Sequence, residues 1–194
     1  NIAFANELSM ICSKEGIDVW KLIELANHHP RVSILQPGTG VGGHCIAVDP
    51  WFIVSKNPEN AKLIRTAREI NDHKTDWVID QIKIAVAHAT VNDTAKSESK
   101  QPDSQPNNTT PNNSKPKIAC FGLAFKPDID DLRESPALDI ARRIAAEHAG
   151  PLRIVEPNVS ALPQGLGAAT LVTFDEVRAE VHVMLVDHKS FKTS

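Results

Sequence analysis

The sequence predicts an α/β protein in two parts, a helical first part followed by a parallel sheet. Three observations carry this. Apolar residues recur at helical spacing through residues 1–91. A polar stretch with four prolines at 92–116 then interrupts every pattern. From residue 117 the rhythm becomes strand, helix, strand. The chain has 194 residues, room for one ordinary domain or two small ones, since domains commonly hold about 100–200 residues.

In the first part, Ile2, Ala5, Leu8, Ile11 and Cys12 fall on helical spacing, and Gly16 stands where a C-terminal cap belongs. Asp18 is placed to cap a second helix carrying Val19, Leu22, Ile23 and Ala26. Trp51–Val54 is the one run here that could form a strand. Two further helical patterns follow. Leu63, Ile64, Ala67 and Ile70 line one face, and Trp77, Val78, Ile82, Ala85 and Val86 another. Residues 92–116 contain no Val, Ile, Leu, Met, Phe or Trp. Such a segment has almost nothing to bury against the entropy of ordering, so it reads as a disordered linker or insertion.

In the second part, Lys117–Phe121 reads as an apolar strand ending at Gly122. Ser135-Pro136 supplies an N-cap and a proline at the first helical position for a helix that stops by Gly150. Leu152–Val155, Leu171–Phe174 and His182–Asp187 read as strands, with a short helix beginning at Asp175. A strand–helix–strand unit at this spacing implies parallel pairing.

Composition narrows the function classes. Apolar residues make up 41% and charged residues 23%, as in ordinary globular chains. A formal net charge of −3 gives no global attraction to nucleic acid or to an anionic membrane. Three cysteines in a chain of this size are no disulfide framework and suit a reducing cytoplasm. The sequence starts at Asn1 with no signal-peptide pattern, and no apolar run reaches the ~18 residues of a membrane span. His28, His29, His44 and Cys45 lie close together but lack metal-ligand spacing, so no metal is expected.

Two constellations could carry chemistry. Of the nine glycines, Gly38, Gly40, Gly42 and Gly43 fall within six residues, and Cys45 follows directly. Glycines let backbone approach a ligand, and a cysteine after such a loop can act as a nucleophile. Asp49, four residues on, would share its face if the segment is helical. A glycine-rich turn with a buried Cys and a surface Asp is the alternative. The second constellation is Gly122–Pro136, from a strand end to a helix start, where ligands of open α/β sheets bind. Lys126 and Arg133 could hold a diphosphate there. Alternatively they are solvated partners of Asp128, Asp130, Asp131 and Glu134.

Gly40-Val-Gly-Gly-His44-Cys45-Ile-Ala-Val-Asp49-Pro, Gly122-Leu-Ala-Phe125-Lys126-Pro and Arg133-Glu-Ser-Pro together resemble the UDP-glucose/GDP-mannose dehydrogenase family. Asn6–Ser9 and Leu185–His188 belong to the same resemblance, which covers nearly the whole chain outside 92–116. It implies a helical central domain that forms a homodimer, then a Rossmann-like UDP-binding domain. The family's NAD-binding domain, a catalytic Lys and Asn before residue 1, and a later nucleotide-binding Arg are absent from this sequence. The piece alone is therefore expected to be inactive.

The activity implied is oxidation of the C6 alcohol of a UDP-sugar to a carboxylate, with two NAD molecules as acceptors. Cys45 would form a thiohemiacetal and then a thioester, and Asp49 would orient the hydrolytic water. Gly42 would bring backbone to the sugar, Phe125 and Lys126 would hold the uridine nucleotide, and Arg133 would reach NAD. By the same resemblance, His29 and Arg31 would reach the substrate in the partner subunit. The expected substrate is UDP-N-acetylmannosamine, for surface-polysaccharide synthesis, with UDP-glucose or UDP-N-acetylglucosamine as alternatives. A reading of another class is a non-catalytic, dimerising UDP-binding module.

Overall fold

A computed structural model describes residues 1–98 and 115–192, with 92–98 as backbone only. Helices α1 (Ile2–Glu15), α2 (Val19–Asn27), α3 (His44–Lys56) and α4 (Lys62–Glu98) form the first part. Strand β1 (Ile118–Phe121), helix α5 (Pro136–Glu147) and strands β2 (Leu152–Val155), β3 (Thr170–Leu171) and β4 (Val181–Met184) form the second, closed by a 3₁₀ turn at Lys189–Lys192.

The caps explain the first boundaries. Gly16 ends α1 in the left-handed conformation at φ 68°, which costs a glycine nothing. The Asp18 carboxylate accepts hydrogen bonds from the Trp20 and Lys21 N–H groups at the start of α2. Trp51–Val54 is helical rather than a strand, because it lies inside α3 with Ala47 and Val54 turned inward. The two patterns on either side of residue 72 are one helix, since nothing between Ile70 and Thr75 breaks it. That helix also continues through Glu98, past the start of the stretch read as linker. Residues 99–114 of that stretch lie outside the described residues.

The buried stripes are rotated from those the periodicity suggests. On α1 the inward residues are Ala5, Asn6, Ser9 and Cys12, while Ile11 is exposed. On α4, Ile79 and Ile82 are buried, Ala85 is exposed, and Leu63 is 81% exposed. Polar partners set this rotation. Asn6 Nδ2 donates to Asn71 Oδ1 (2.9 Å) and Lys74 Nζ to Ser9 Oγ (2.8 Å), so α1 and α4 run parallel through a polar seam.

The four strands are parallel, in the order β3-β2-β1-β4. Alternation divides the β1 side chains between two cores. Ile118 and Cys120 join Ile79, Ile82, Ile140, Ile144 and Ile154 beneath α4 and α5. Ala119 and Phe121 join Val155 and Val177 on the other face. No helix begins at Asp175. A turn there lets Phe174 and Phe191 pack on Phe121, with ring centroids 5.8 Å apart in each pair. Strand β3 is shorter than expected and β4 ends at Met184. The following residues turn away to hydrogen-bond the end of β1, Leu185 and Val186 N–H both donating to the Phe121 carbonyl. From β1 the chain crosses to β2 and β3 on one side, then returns to β4 on the other. The crevice between the ends of β1 and β4 is therefore the topological switch point, where such sheets bind ligands.

Candidate active site

Local chemistry explains how the glycine loop is held. Side chains fasten the connector before it. Asn27 exchanges two hydrogen bonds with Ile34, and Asn1 binds Ser33 and Leu35. Asn6 Oδ1 accepts from Gly38 N–H (2.8 Å), and Thr75 Oγ1 donates to the Thr39 carbonyl (3.0 Å). The loop then meets the second part at close range. A Cβ on Gly42 would strike the Glu134 carbonyl and lie 2.8 Å from both Phe125 Cβ and Pro136 Cδ. Gly43, at φ 83°, packs on the Phe125 ring and donates its N–H to the Arg133 carbonyl (3.3 Å). The two constellations picked out in the sequence are thus one structure.

Cys45 lies in the first turn of α3, exposed, with Sγ 4.0 Å from His44 Nδ1. It is not buried in a turn, and a helix start is a place where negative charge is favoured. Asp49 is exposed on the same helix at the i+4 position, which places both on one face. Arg133 is exposed and its guanidinium is held by both oxygens of Asp131, the shortest contact being 2.6 Å. These hydrogen bonds lower the Asp131 carboxyl to about 2. They also raise Arg133. The Arg133 carbonyl is tied to Gly43, two residues before Cys45.

Phe125 and Lys126 line a cavity of about 910 Å³ at the switch point, together with Met184–Asp187 and Gln36–Gly40. Cys45, Asp49, Gly42 and Arg133 do not line it; Phe125 connects the two, one side to the cavity and one to Gly43. His29 and Arg31 stand apart on the exposed turn after α2, where His29 Nδ1 accepts from the Arg31 N–H (3.3 Å). Among the described residues no cluster of His, Cys, Asp and Glu could hold a metal ion.

Three features escaped the sequence reading. Lys74, on the cavity wall, is only 4% exposed. Burial lowers its ammonium to about 8. Glu156, directly after β2, and His188, four residues past the end of β4, have fully buried side chains and bond to each other at 3.1 Å. Glu156 Oε2 also accepts from Leu123 N–H (2.6 Å), and His188 Nδ1 accepts from Asp128 N–H (2.9 Å). Since Nδ1 is an acceptor, the ring proton sits on Nε2 and is donated to Glu156. One buried pair thereby fixes both ends of the Leu123–Asp128 loop that carries Phe125 and Lys126. The sequence signal for Glu156 was a charged residue directly after a strand.

A parallel sheet with a loop-lined cavity at its switch point, joined to a cysteine at a helix start, defines a nucleotide-binding module coupled to a candidate nucleophile. The relatives give this class its family. Residues 1–73 match the central domain of the UDP-glucose/GDP-mannose dehydrogenase family, and residues 119–194 match its UDP-binding domain. The chain belongs to that family. It is 60% identical over 195 residues to the UDP-N-acetyl-D-mannosamine dehydrogenase of Escherichia coli K12, covering 99% of this chain and 43% of that protein. Identity to the NDP-N-acetyl-D-galactosaminuronic acid dehydrogenase of Ralstonia solanacearum is 50% over 194 residues, covering 99% of this chain and 40% of that one. A solved structure of the UDP-N-acetyl-mannosamine dehydrogenase Cap5O from S. aureus superposes with TM-score 0.72 at 40% identity, over 100% of this chain and 40% of that one. The chain thus spans less than half the length of the relatives it matches.

Proposed function

We propose that this chain is the central and UDP-binding part of a cytoplasmic, homodimeric, NAD-dependent UDP-sugar 6-dehydrogenase acting on UDP-N-acetyl-D-mannosamine. The observation that carries the reading is the packing of Gly42 and Gly43 against Phe125 and Glu134. It joins the start of the Cys45 helix to the loop that lines the nucleotide-sized cavity. The choice of sugar, and with it a role in surface-polysaccharide synthesis, rests on the 60% identity to the E. coli enzyme. UDP-glucose and UDP-N-acetylglucosamine are the competing substrates.

In this reading Phe125 and Lys126 hold the nucleotide, with Lys126 offering its charge to the diphosphate. Gly42 has no side chain, which leaves the backbone open to the sugar. Once C6 is an aldehyde, the Cys45 thiolate adds to the carbonyl carbon to form a thiohemiacetal. Loss of hydride from that carbon and of the hydroxyl proton leaves a thioester. Water, oriented by Asp49, cleaves the thioester to carboxylate and thiol. Overall the alcohol loses four electrons and gains one oxygen from water. Bound NAD would supply the hydride acceptor, one molecule for each of the two oxidations. The described residues of this chain would meet it through Arg133, whose guanidinium is exposed and whose carbonyl accepts from Gly43 N–H. His29 and Arg31 stand on an outward-facing turn, in keeping with contact to a substrate held by the partner.

The test uses the whole protein carrying this chain. Cys45→Ser should abolish conversion of UDP-N-acetylmannosamine to the acid, and Asp49→Asn should slow hydrolysis so that acyl-enzyme is seen by mass spectrometry. Near-normal acid production by Cys45→Ser would sink the nucleophile. Product assays with the three UDP-sugars decide the substrate.

A further inference from the structure

The switch-point cavity contains a second cation, and the family motifs do not include it. Lys74 of α4 lines its wall together with Ser9, Trp20 and the Gln36–Gly40 connector. It is 4% exposed, which is rare for lysine without a carboxylate partner. Among the described residues no carboxylate pairs with it. Its ammonium donates to Ser9 Oγ at 2.8 Å and lies 3.8 Å from the centroid of the Trp77 ring. A hydroxyl and an aromatic face hold the group in place but do not neutralise it, and an ammonium has three protons to donate. Burying a cation on those terms costs stability unless an anion meets it. The other charged groups lining the cavity are Lys126 and Asp187, and Asp187 is already paired with Lys192 at 2.7 Å. The cavity therefore has two cations facing it and no free carboxylate.

We propose that Lys74 is a substrate-binding residue that donates from the helical part to a phosphate of the nucleotide, opposite Lys126 from the sheet part. This rests on the reading of the cavity as the nucleotide site. A diphosphate held from both sides couples the two parts: the ligand binds fully only when α4 and the Phe125 loop face each other. Sheet and helical halves would then share the anion as well as the packing at Gly42.

The test is calorimetry on the whole protein with UDP and with uridine, comparing the unmodified protein with Lys74→Met. Met keeps most of the volume and removes the buried charge, so the melting temperature should hold or rise. UDP affinity should fall at least about tenfold, the scale of one charge-assisted hydrogen bond. Uridine affinity should stay within about twofold. In the unmodified protein UDP affinity should weaken as pH rises above about 8, where Lys74 loses its proton. In Lys74→Met it should be flat between about pH 7.5 and 8.5, where the diphosphate of UDP is fully ionised and the uracil ring still keeps its N3 proton. If Lys74→Met folds poorly, Lys74→Gln, which can still donate to Ser9, should show the same selective loss of UDP. An unmodified protein that binds no UDP overturns the nucleotide site itself. Normal UDP binding by the folded Lys74 variants overturns the role of Lys74 and leaves that site standing.

Discussion

The sheet half closes on itself and the helical half does not. Around the sheet, each face of β1 has its own apolar core, one of them completed by Ile79 and Ile82 of α4, and the buried Glu156 carboxylate accepts from His188 Nε2–H. In the helical half the buried set is strongly polar: Ala3, Ala5, Cys12, Ile23, Ala47, Val54, Ala61, Ile79 and Ile82 are buried together with Asn6, Ser9, Arg68, Asn71, Lys74 and Thr75. Phe4, Ile11, Trp20, Leu25, Phe52 and Leu63 face outward. Arg68 is buried with Nη2 on Asp72, but its Nε and Nη1 have no protein partner among the described residues. An unpaired buried donor and an exposed apolar surface both mark structure that is completed elsewhere. The sheet half borrows Ile79 and Ile82 of α4 for its core and shares its cavity with the helical half, while the helical half carries the candidate nucleophile Cys45 and leaves many apolar side chains outward.

The largest effect expected lies in the closed half. Glu156→Ala should cost about 3 kcal/mol or more, because it leaves the buried His188 Nε2–H without its acceptor and each stranded buried donor costs about 1–3 kcal/mol. It also removes the acceptor of the Leu123 and Ala124 N–H groups. Denaturant melts should show the loss. The contrast between halves would be blunted if Glu156→Ala were no worse than a surface substitution.

That residue also marks where sequence stops being informative. Caps, glycines and periodicity are local, so α1, α2, β1, α5 and β2 were legible, as was the pairing of Cys45 with Asp49 on one helical face. Their joining was not. Gly42 meets Glu134 at a sequence separation of 92, and nothing local signals that contact. Lys74, Glu156 and His188 each looked like ordinary charged residues, because burial is decided by tertiary packing. The rotated stripe of α1 has the same origin: Asn6 and Ser9 are inward only because Asn71 and Lys74 wait there.

Next in size is the pH response of Lys74. Burial lowers its folded pKa from 10.5 to about 8. Between those values the unfolded chain binds the extra proton, so stability should rise with pH, by a total on the order of 3 kcal/mol. Cys120 acts in the opposite sense: burial raises its thiol from 9.0 to about 12. Above about pH 9 the unfolded chain gives up that proton first, which lowers stability. Thermal melts should therefore improve from pH 8 to 9 and then level or decline. Lys74→Met should remove the rise and Cys120→Ala the decline, which separates the helical half from the sheet half in one measurement.

A smaller effect belongs to the seam between them. Gly42→Ala places a Cβ against the Glu134 carbonyl and 2.8 Å from Phe125, so backbone must move, at about 1–3 kcal/mol. Gly16→Ala has open space around it and only its φ of 68° to strain, which costs about 1 kcal/mol. In the whole protein Gly42→Ala should also reduce oxidation, while Gly16→Ala should leave it unchanged. Equal activity in both would detach the glycine loop from the chemistry.

The smallest expected change in stability tests the openness of the helical half. Leu63 is 81% exposed near the start of α4, where it touches little of this chain. Replacing it by Ser removes almost no buried area, so the chain's own stability should move by less than about 0.5 kcal/mol. A partner surface over this face would give the exposed leucine something to pack against. Sedimentation of Leu63→Ser against the unmodified protein reads that directly. If this face is covered in the whole protein, the variant should show weaker self-association or looser packing of the remaining domain, with an unchanged melt of the isolated chain. A marked loss of stability in the chain itself would mean that the helical half is closed after all, and that the two halves differ less than their surfaces indicate.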